Sequence, residues 1–173
     1  MNDYIAALLF FLPAGVGNMS PVIANRLPLI KNWNAPMDFG KSWRGQRILG
    51  GNKRLRGIVF GTIMGGLTAV VVSKFNANTV VTIAPFWAGC LLGFGALAGD
   101  AVESFFKRQH GLDPGASWFP FDQIDYIAGG LLVIYPFVQL PQWSMVTIVV
   151  VYFGLHLTTA YSAFLLGLKD KPI

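Results

Sequence analysis

The chain has 173 residues, of which 54% are hydrophobic and 12% charged, and a formal net charge of +5. A soluble domain of this size carries about 25% charged residues, so the composition excludes an ordinary soluble fold and points to a membrane protein. In that class a basic balance reports cationic loops on the cytoplasmic side rather than a nucleic-acid partner, and the single cysteine, Cys90, excludes an internal disulfide.

A bilayer-crossing helix needs about 20 mostly apolar residues. Runs of that kind predict an all-α integral membrane protein with five transmembrane helices, at about 4–26, 57–76, 79–99, 126–141 and 144–168. The first run, "MNDYIAALLFFLPAG", has neither a basic n-region nor a small-residue cleavage site, so it is expected to be retained. Pro13, Gly15, Gly17, Asn18 and Pro21 within it predict a broken or kinked helix, which either lines a cavity or is simply bent. The second run passes Lys74 by snorkelling. Its "GTIMGG" segment suits close helix packing, within the chain or between chains. Cys90, in the third run, reads as a small lipid- or helix-facing residue. The uncharged stretch 126–168 holds two helices, broken at "QLPQWS" by Pro141, with Trp143 as an interface anchor. His156, Thr159 and Ser162 in the last run are either helix–helix glue or functional polar positions.

The cations set the orientation. Arg26, Lys31, Lys41, Arg44, Arg47, Lys53, Arg54 and Arg56 precede the second span, Lys107 and Arg108 follow the third, and Lys169 and Lys171 follow the fifth. Alternating sides puts these twelve on one face and Lys74 alone on the other. The cationic face is expected in the cytoplasm, with the N-terminus outside and the C-terminus inside. The expectation is one membrane-embedded domain over 1–173. Its chemistry is carried by two cytoplasmic loops, about 27–56 and 100–125, and by the adjoining span ends.

The second of these loops begins "GDAVESFFKRQHG". Read as a helix continuing the third span, it puts Asp100, Ser104, Lys107 and Arg108 on one face. Such a face is either a solvated amphipathic extension or half of a polar site. The turn-rich "GLDPGASWFPFDQIDYIAGG" then returns the chain to the membrane, with Asp122 and Asp125 at i, i+3 beside an apolar span. Two carboxylates there are costly unless paired or metal-bound. The hairpin is expected to bring Asp100, Asp122 and Asp125 together at one depth. They then either ligate Mg²⁺ or form salt bridges with Lys107 and Arg108, cations that also suit phosphate. The first loop repeats a small pattern, Lys41-x-x-Arg44-Gly45 and Lys53-x-x-Arg56-Gly57. Its cations either bind polyphosphate or anchor the loop at anionic headgroups. No GxxxxGK[ST] phosphate-binding loop is present.

Taken together, "GDAVESFFKRQHGLDPGASWFPFDQIDYIAGG" resembles the signature region of the CDP-archaeol synthase family, integral membrane cytidylyltransferases distantly similar to phosphatidate cytidylyltransferases. The matching positions are Gly99, Asp100, Ser104, Phe105, Lys107, Arg108, Gly111, Gly115, Asp122, Gln123 and Asp125. "NMSPVIAN", "MDFGKSWRGQRILGGNKRLRG" and "GLKDKP" resemble the family's first span, first cytoplasmic loop and C-terminal ending, so the likeness covers nearly the whole chain. It departs at Gly51 and Arg54, where the family typically has an acid and a threonine, and at Ala160, where an asparagine is frequent. Against the broader phosphatidate enzymes the His-Gly-Gly is missing and Gln123 replaces an arginine.

The resemblance implies transfer of a cytidylyl group from CTP to a membrane lipid phosphate, archaetidic acid or phosphatidic-acid-like, giving a CDP-lipid and pyrophosphate. It implies that Asp100, Asp122 and Asp125 hold Mg²⁺ and that Lys107 and Arg108 hold phosphates. Lys53, Arg56, Lys41 and Arg44 would supply positive charge, Ser104 a hydrogen bond, and Asn18 and Ser20 the polar mouth of a lipid groove. The competing readings are a family member that binds CTP and lipid without turnover and a small membrane transporter. A CDP-alcohol phosphotransferase would need Asp-Gly-x-x-Ala-Arg, which is absent.

Overall fold

The computed structural model describes residues 3–75 and 81–167. The elements in chain order are α1 (Asp3–Ala24), a short hairpin of β1 (Ser42–Trp43) and β2 (Gln46–Arg47), α2 (Leu55–Ser73), α3 (Pro85–Gln109), α4 (Phe121–Ile134), a 3₁₀ turn at Tyr135–Phe137, and α5 (Gln142–Leu165). Lys169, Lys171 and most of the "GLKDKP" ending lie outside the described residues, as do 76–80, where the second expected span ends and the third begins.

Among the described residues, four helices, α1, α2, α3 and α5, are long and apolar enough to cross a membrane. The expected fifth span is shorter: α4 has 14 residues before the 3₁₀ turn. That is about 21 Å of helix against a hydrocarbon core of about 30 Å. Its start differs too. The helix begins at Phe121 rather than 126, so the helical turn that carries Asp122 and Asp125 belongs to α4 itself. The third helix starts at Pro85, where proline suits the first helical position, and runs through the amphipathic stretch to Gln109. It ends on a Schellman turn. Gly111 adopts φ +71, its N–H donates to the Arg108 carbonyl at 3.1 Å, and the Leu112 N–H donates to the Lys107 carbonyl at 3.0 Å.

Of the two forms expected for the first helix, broken or kinked, the break is absent: α1 runs through both Pro13 and Pro21. Pro21 has no N–H for the Gly17 carbonyl, and that carbonyl instead faces α2, where a Cβ on Gly61 would come within 2.5 Å of it. The fold is also not purely α. The first loop contains the β1–β2 hairpin, with Trp43 opposite Gln46. Its two-residue turn is Arg44-Gly45, both at positive φ (51 and 79), the conformation that matches strand twist in a tight hairpin.

Glycines set the helix spacing. A Cβ on Gly65 would lie 2.5 Å from the Gly89 carbonyl, and one on Gly95 would lie 2.6 Å from that of Gly129. The "GTIMGG" segment is therefore consumed by packing within the chain. The third helix is central, touching α1 and α2 on one side and α4 on another. Tyr126 (α4) donates to the Tyr152 carbonyl at 3.0 Å and Tyr152 (α5) to the Leu8 carbonyl at 2.7 Å, which ties α4, α5 and α1 around buried Phe11, Ile127 and Ile148.

Candidate active site

The connection from α1 to α2 and the connection from α3 to α4 meet at one end of the bundle, because α1 and α3 end there and α2 and α4 begin there. Between them lies a polar cavity of about 290 Å³. Asn18 lines it from α1, Asn52 and Lys53 from the first loop, Asp100, Glu103, Ser104, Lys107 and Arg108 from α3, Asp122, Gln123 and Asp125 from α4, and His156 and Ala160 from α5.

The first loop is organised by a buried carboxylate that sequence reading passed over. Asp38 accepts hydrogen bonds from the Gly40 N–H (3.0 Å), the Leu49 N–H (3.1 Å) and Arg47 (2.6 and 3.2 Å). Burial by itself would raise the Asp38 pKa, but the bonds from Arg47, Leu49 and Gly40 outweigh it and bring the carboxyl down to about 2. The Met37 N–H donates to the Lys53 carbonyl, and the Leu55 N–H to that of Ala35, both at 2.9 Å. The loop thus folds back on the start of α2 and delivers Lys53 to the cavity, where it pairs with Asp100.

The acids do not all converge as expected. Oxygens of Asp100, Glu103 and Asp125 lie within 4.8 Å of one another. Asp122 is not in that group: its carboxylate takes Lys107 on one oxygen and the Trp118 N–H, at 2.7 Å, on the other. The reason is antiparallel helix geometry. One turn separates Asp122 from Asp125 on α4, so Asp125 stands level with Gly99 and Asp100 while Asp122 stands one turn further along α3, near Glu103, where the Lys107 side chain reaches back to both. The gap is filled by Glu103, one turn after Asp100 on the same face of α3. Its i, i+3 spacing from Asp100 was the available sequence signal, and the sequence reading assigned Glu103 to no face.

The cations divide into two sets. Lys107 is buried and bridges Glu103, at 2.9 Å, and Asp122. Arg108 is buried too. It donates to the Asp113 carbonyl at 2.8 Å, while its Nε, facing no protein acceptor, is one of the few orphaned buried polar atoms among the described residues; Gln123 Oε1 is another. Both side chains line the cavity. The other expected cations lie elsewhere. Lys41 and Arg44 are exposed on the hairpin, outside the cavity lining. Arg56 is buried but committed to the protein. It donates to Asn25 Oδ1 at 3.0 and 2.7 Å, to Asn34 Oδ1 at 2.6 Å and to the Lys31 carbonyl. Ser104 and Asn18 do line the cavity. Ser20 is buried and donates to the Val16 carbonyl at 2.6 Å, within its own helix.

Buried cations beside clustered carboxylates, open to a polar cavity at one end of a membrane bundle, suit polyphosphate chemistry. Comparison with known proteins agrees. The family model described as "CarS-like: CDP-archaeol synthase" matches residues 1–173. A CDP-archaeol synthase of Thermofilum pendens is 40% identical over 169 residues, 96% of this chain and 79% of that protein. Another, from Methanospirillum hungatei, is 35% identical over 87% of this chain and 96% of that one. A solved structure, that of an intramembrane enzyme for archaeal membrane lipids biosynthesis, has a TM-score of 0.75 at 28% identity, covering 88% of this chain and 91% of that chain.

Fold and site together define a multi-pass membrane enzyme of the nucleotidyltransferase class. The chain belongs to the CDP-archaeol synthase family, the CTP-dependent lipid cytidylyltransferases.

Proposed function

We propose that the enzyme joins CTP to unsaturated archaetidic acid, with phosphatidic-acid-like lipids as the comparison acceptors, at a site facing the cytoplasm on a bundle of five spans. The observation that carries this reading is the convergence of Asp100, Glu103 and Asp125 in one cavity with Lys53, Lys107 and Arg108. The relatives named above support the lipid class, and the twelve-to-one distribution of cations supports the orientation.

An oxygen of the lipid phosphate attacks the α-phosphorus of CTP. The bond from that phosphorus to the bridging oxygen of the β-phosphate breaks, and the electron pair leaves with pyrophosphate. The attacking phosphate is already largely ionised near neutral pH, since such groups have a second pKa of about 6. No protein base is needed. The task is to hold two polyanions together, which is positioning and charge stabilisation.

The cluster consists only of carboxylate oxygens, the donor type that hard divalent cations such as Mg²⁺ prefer. Asp100, Glu103 and Asp125 would hold Mg²⁺, which when bound supplies Lewis-acid stabilisation of phosphate charge. Asp122 fixes Lys107 so that its ammonium faces the cavity. Lys107 and the free Nε–H of Arg108 bind phosphate oxygens. Lys53 releases Asp100 and takes a phosphate oxygen in its place. Ser104 donates a further hydrogen bond, and Gln123 Oε1 accepts one from the nucleotide.

The test is formation of CDP-lipid from CTP and Mg²⁺ in detergent, with archaetidic and phosphatidic acids as acceptors. Turnover with the ether lipid preferred is the expected result. CTP binding without turnover on any acceptor would favour the inactive reading, and solute flux in liposomes the transporter.

A further inference from the structure

We infer that the hydrocarbon chains of the lipid phosphate lie in a groove between α3 and α4, so that the two substrates reach the acidic cluster from opposite sides. This rests on the proposed reaction and adds the path of the second substrate.

On the far side of the cluster from the polar cavity is a second concavity, of about 590 Å³. It runs along α3 from Gly95 to Phe106 and along α4 from Phe121 to Val133, about 17 Å of helix. Its lining is apolar except at two residues, Glu103 and Asp125, which also line the polar cavity. The two spaces are therefore neighbours across one thin wall of carboxylates. A ligand that fits this arrangement has a long apolar part in the groove and a head that reaches past the wall, where Lys107 and Arg108 line the polar cavity and suit an anion. Only the lipid phosphate, of the two reactants, has this form.

The groove exists because of the glycine contacts. Gly95, Gly99 and Gly129 draw the helix axes together, so the small side chains of Ala98 and Ala128 leave an open furrow between them. Val102, Phe106 and Leu132 line it and stay exposed in the isolated chain. Asn18 and Ser20, expected at the polar mouth, do not border this groove: Asn18 lines the polar cavity and Ser20 is buried within α1.

Ala128→Trp and Val102→Trp, each filling the groove, are compared with wild type and with Val150→Trp, at an exposed position of α5 outside both spaces. The readouts are the KM for a long-chain lipid phosphate, the KM for CTP, and turnover of a short-chain, water-soluble alkyl phosphate. Expected is a rise of about tenfold or more in the long-chain KM, with CTP KM and short-chain turnover unchanged and Val150→Trp like wild type. Wild-type long-chain KM in both groove variants overturns the inference. Variants that lose all activity are resolved on the wild-type protein, with a lipid phosphate carrying a diazirine in its chain. Labelling of Val102, Phe106 or Leu132 upholds the groove, and labelling confined to α1 or α5 overturns it. Wild-type protein that makes no CDP-lipid at all overturns the proposed reaction instead.

Discussion

Gly99 of α3 lies directly against the backbone carbonyl of Asp125 on α4, with no room for a Cβ between them. The contact sets how near Asp100, the next residue on α3, comes to the Asp125 carboxylate, and with it the dimensions of the acidic cluster.

Gly99→Ala is expected to push α3 and α4 apart. Overpacking of this kind costs about 1–3 kcal/mol, and here the displacement falls on the site itself. CDP-lipid formation should drop by about tenfold or more, with a smaller fall in the melting temperature in detergent. A variant with full activity would show that the cluster tolerates a wider helix spacing.

The acids should separate by role. Asp100→Asn, Glu103→Gln and Asp125→Asn each remove a carboxylate of the cluster, and each should lower kcat by about 10²-fold or more and raise the Mg²⁺ concentration for half-maximal activity. Asp122→Asn loosens Lys107 and should act mainly on the KM for CTP, leaving the Mg²⁺ dependence unchanged. Chelation by EDTA should abolish wild-type turnover, and added Mg²⁺ should restore it. Mg²⁺ titrations of the four variants measure the split.

The cations in and beside the first loop predict a contrast. Arg56→Ala removes the buried donor shared by Asn25, the Lys31 carbonyl and Asn34, leaving Asn34 with Arg54 alone. Loss of such a network costs about 3 kcal/mol or more and should lower the melting temperature markedly. Lys41→Ala and Arg44→Ala change exposed side chains and should leave both melting temperature and CTP KM near wild type. A raised CTP KM for Lys41→Ala or Arg44→Ala would return these cations to the site.

Asp38 gives the first loop a defined acid limit. Its folded pKa of about 2 lies below the ordinary value of 3.8, so the folded state favours the charged form. The stabilisation is present in full above the unfolded pKa and is lost as pH falls from about 4 to about 2. Asp38→Asn should melt earlier than wild type at neutral pH, and the difference should shrink across that window. Melting curves at a series of pH values check the sign. A gap that widens on acidification contradicts it.

Much of the helical layout was legible because burial in lipid imposes long apolar runs, and charges mark where they end. Phe121 as the start of α4 was not, since an aromatic, acid-flanked segment after Pro120 reads equally well as loop. The β1–β2 hairpin escaped notice because its turn uses Arg44, a residue with no ordinary preference for positive φ.

The sequence by itself determined the membrane class, the polar ends of the helices and the candidate residues Asp100, Asp125, Lys53, Lys107 and Arg108. The first two follow from composition and local spacing, and the choice of site residues also from the resemblance to the CDP-archaeol synthase family. The tertiary structure decided which of them meet. Depth along two antiparallel helices is set by backbone contacts such as Gly99 with Asp125, and no local pattern encodes it. That depth put Glu103 into the cluster and Asp122 on Lys107. Tertiary contacts likewise turned Arg56 inward to clamp the loop and left an apolar groove behind the carboxylates.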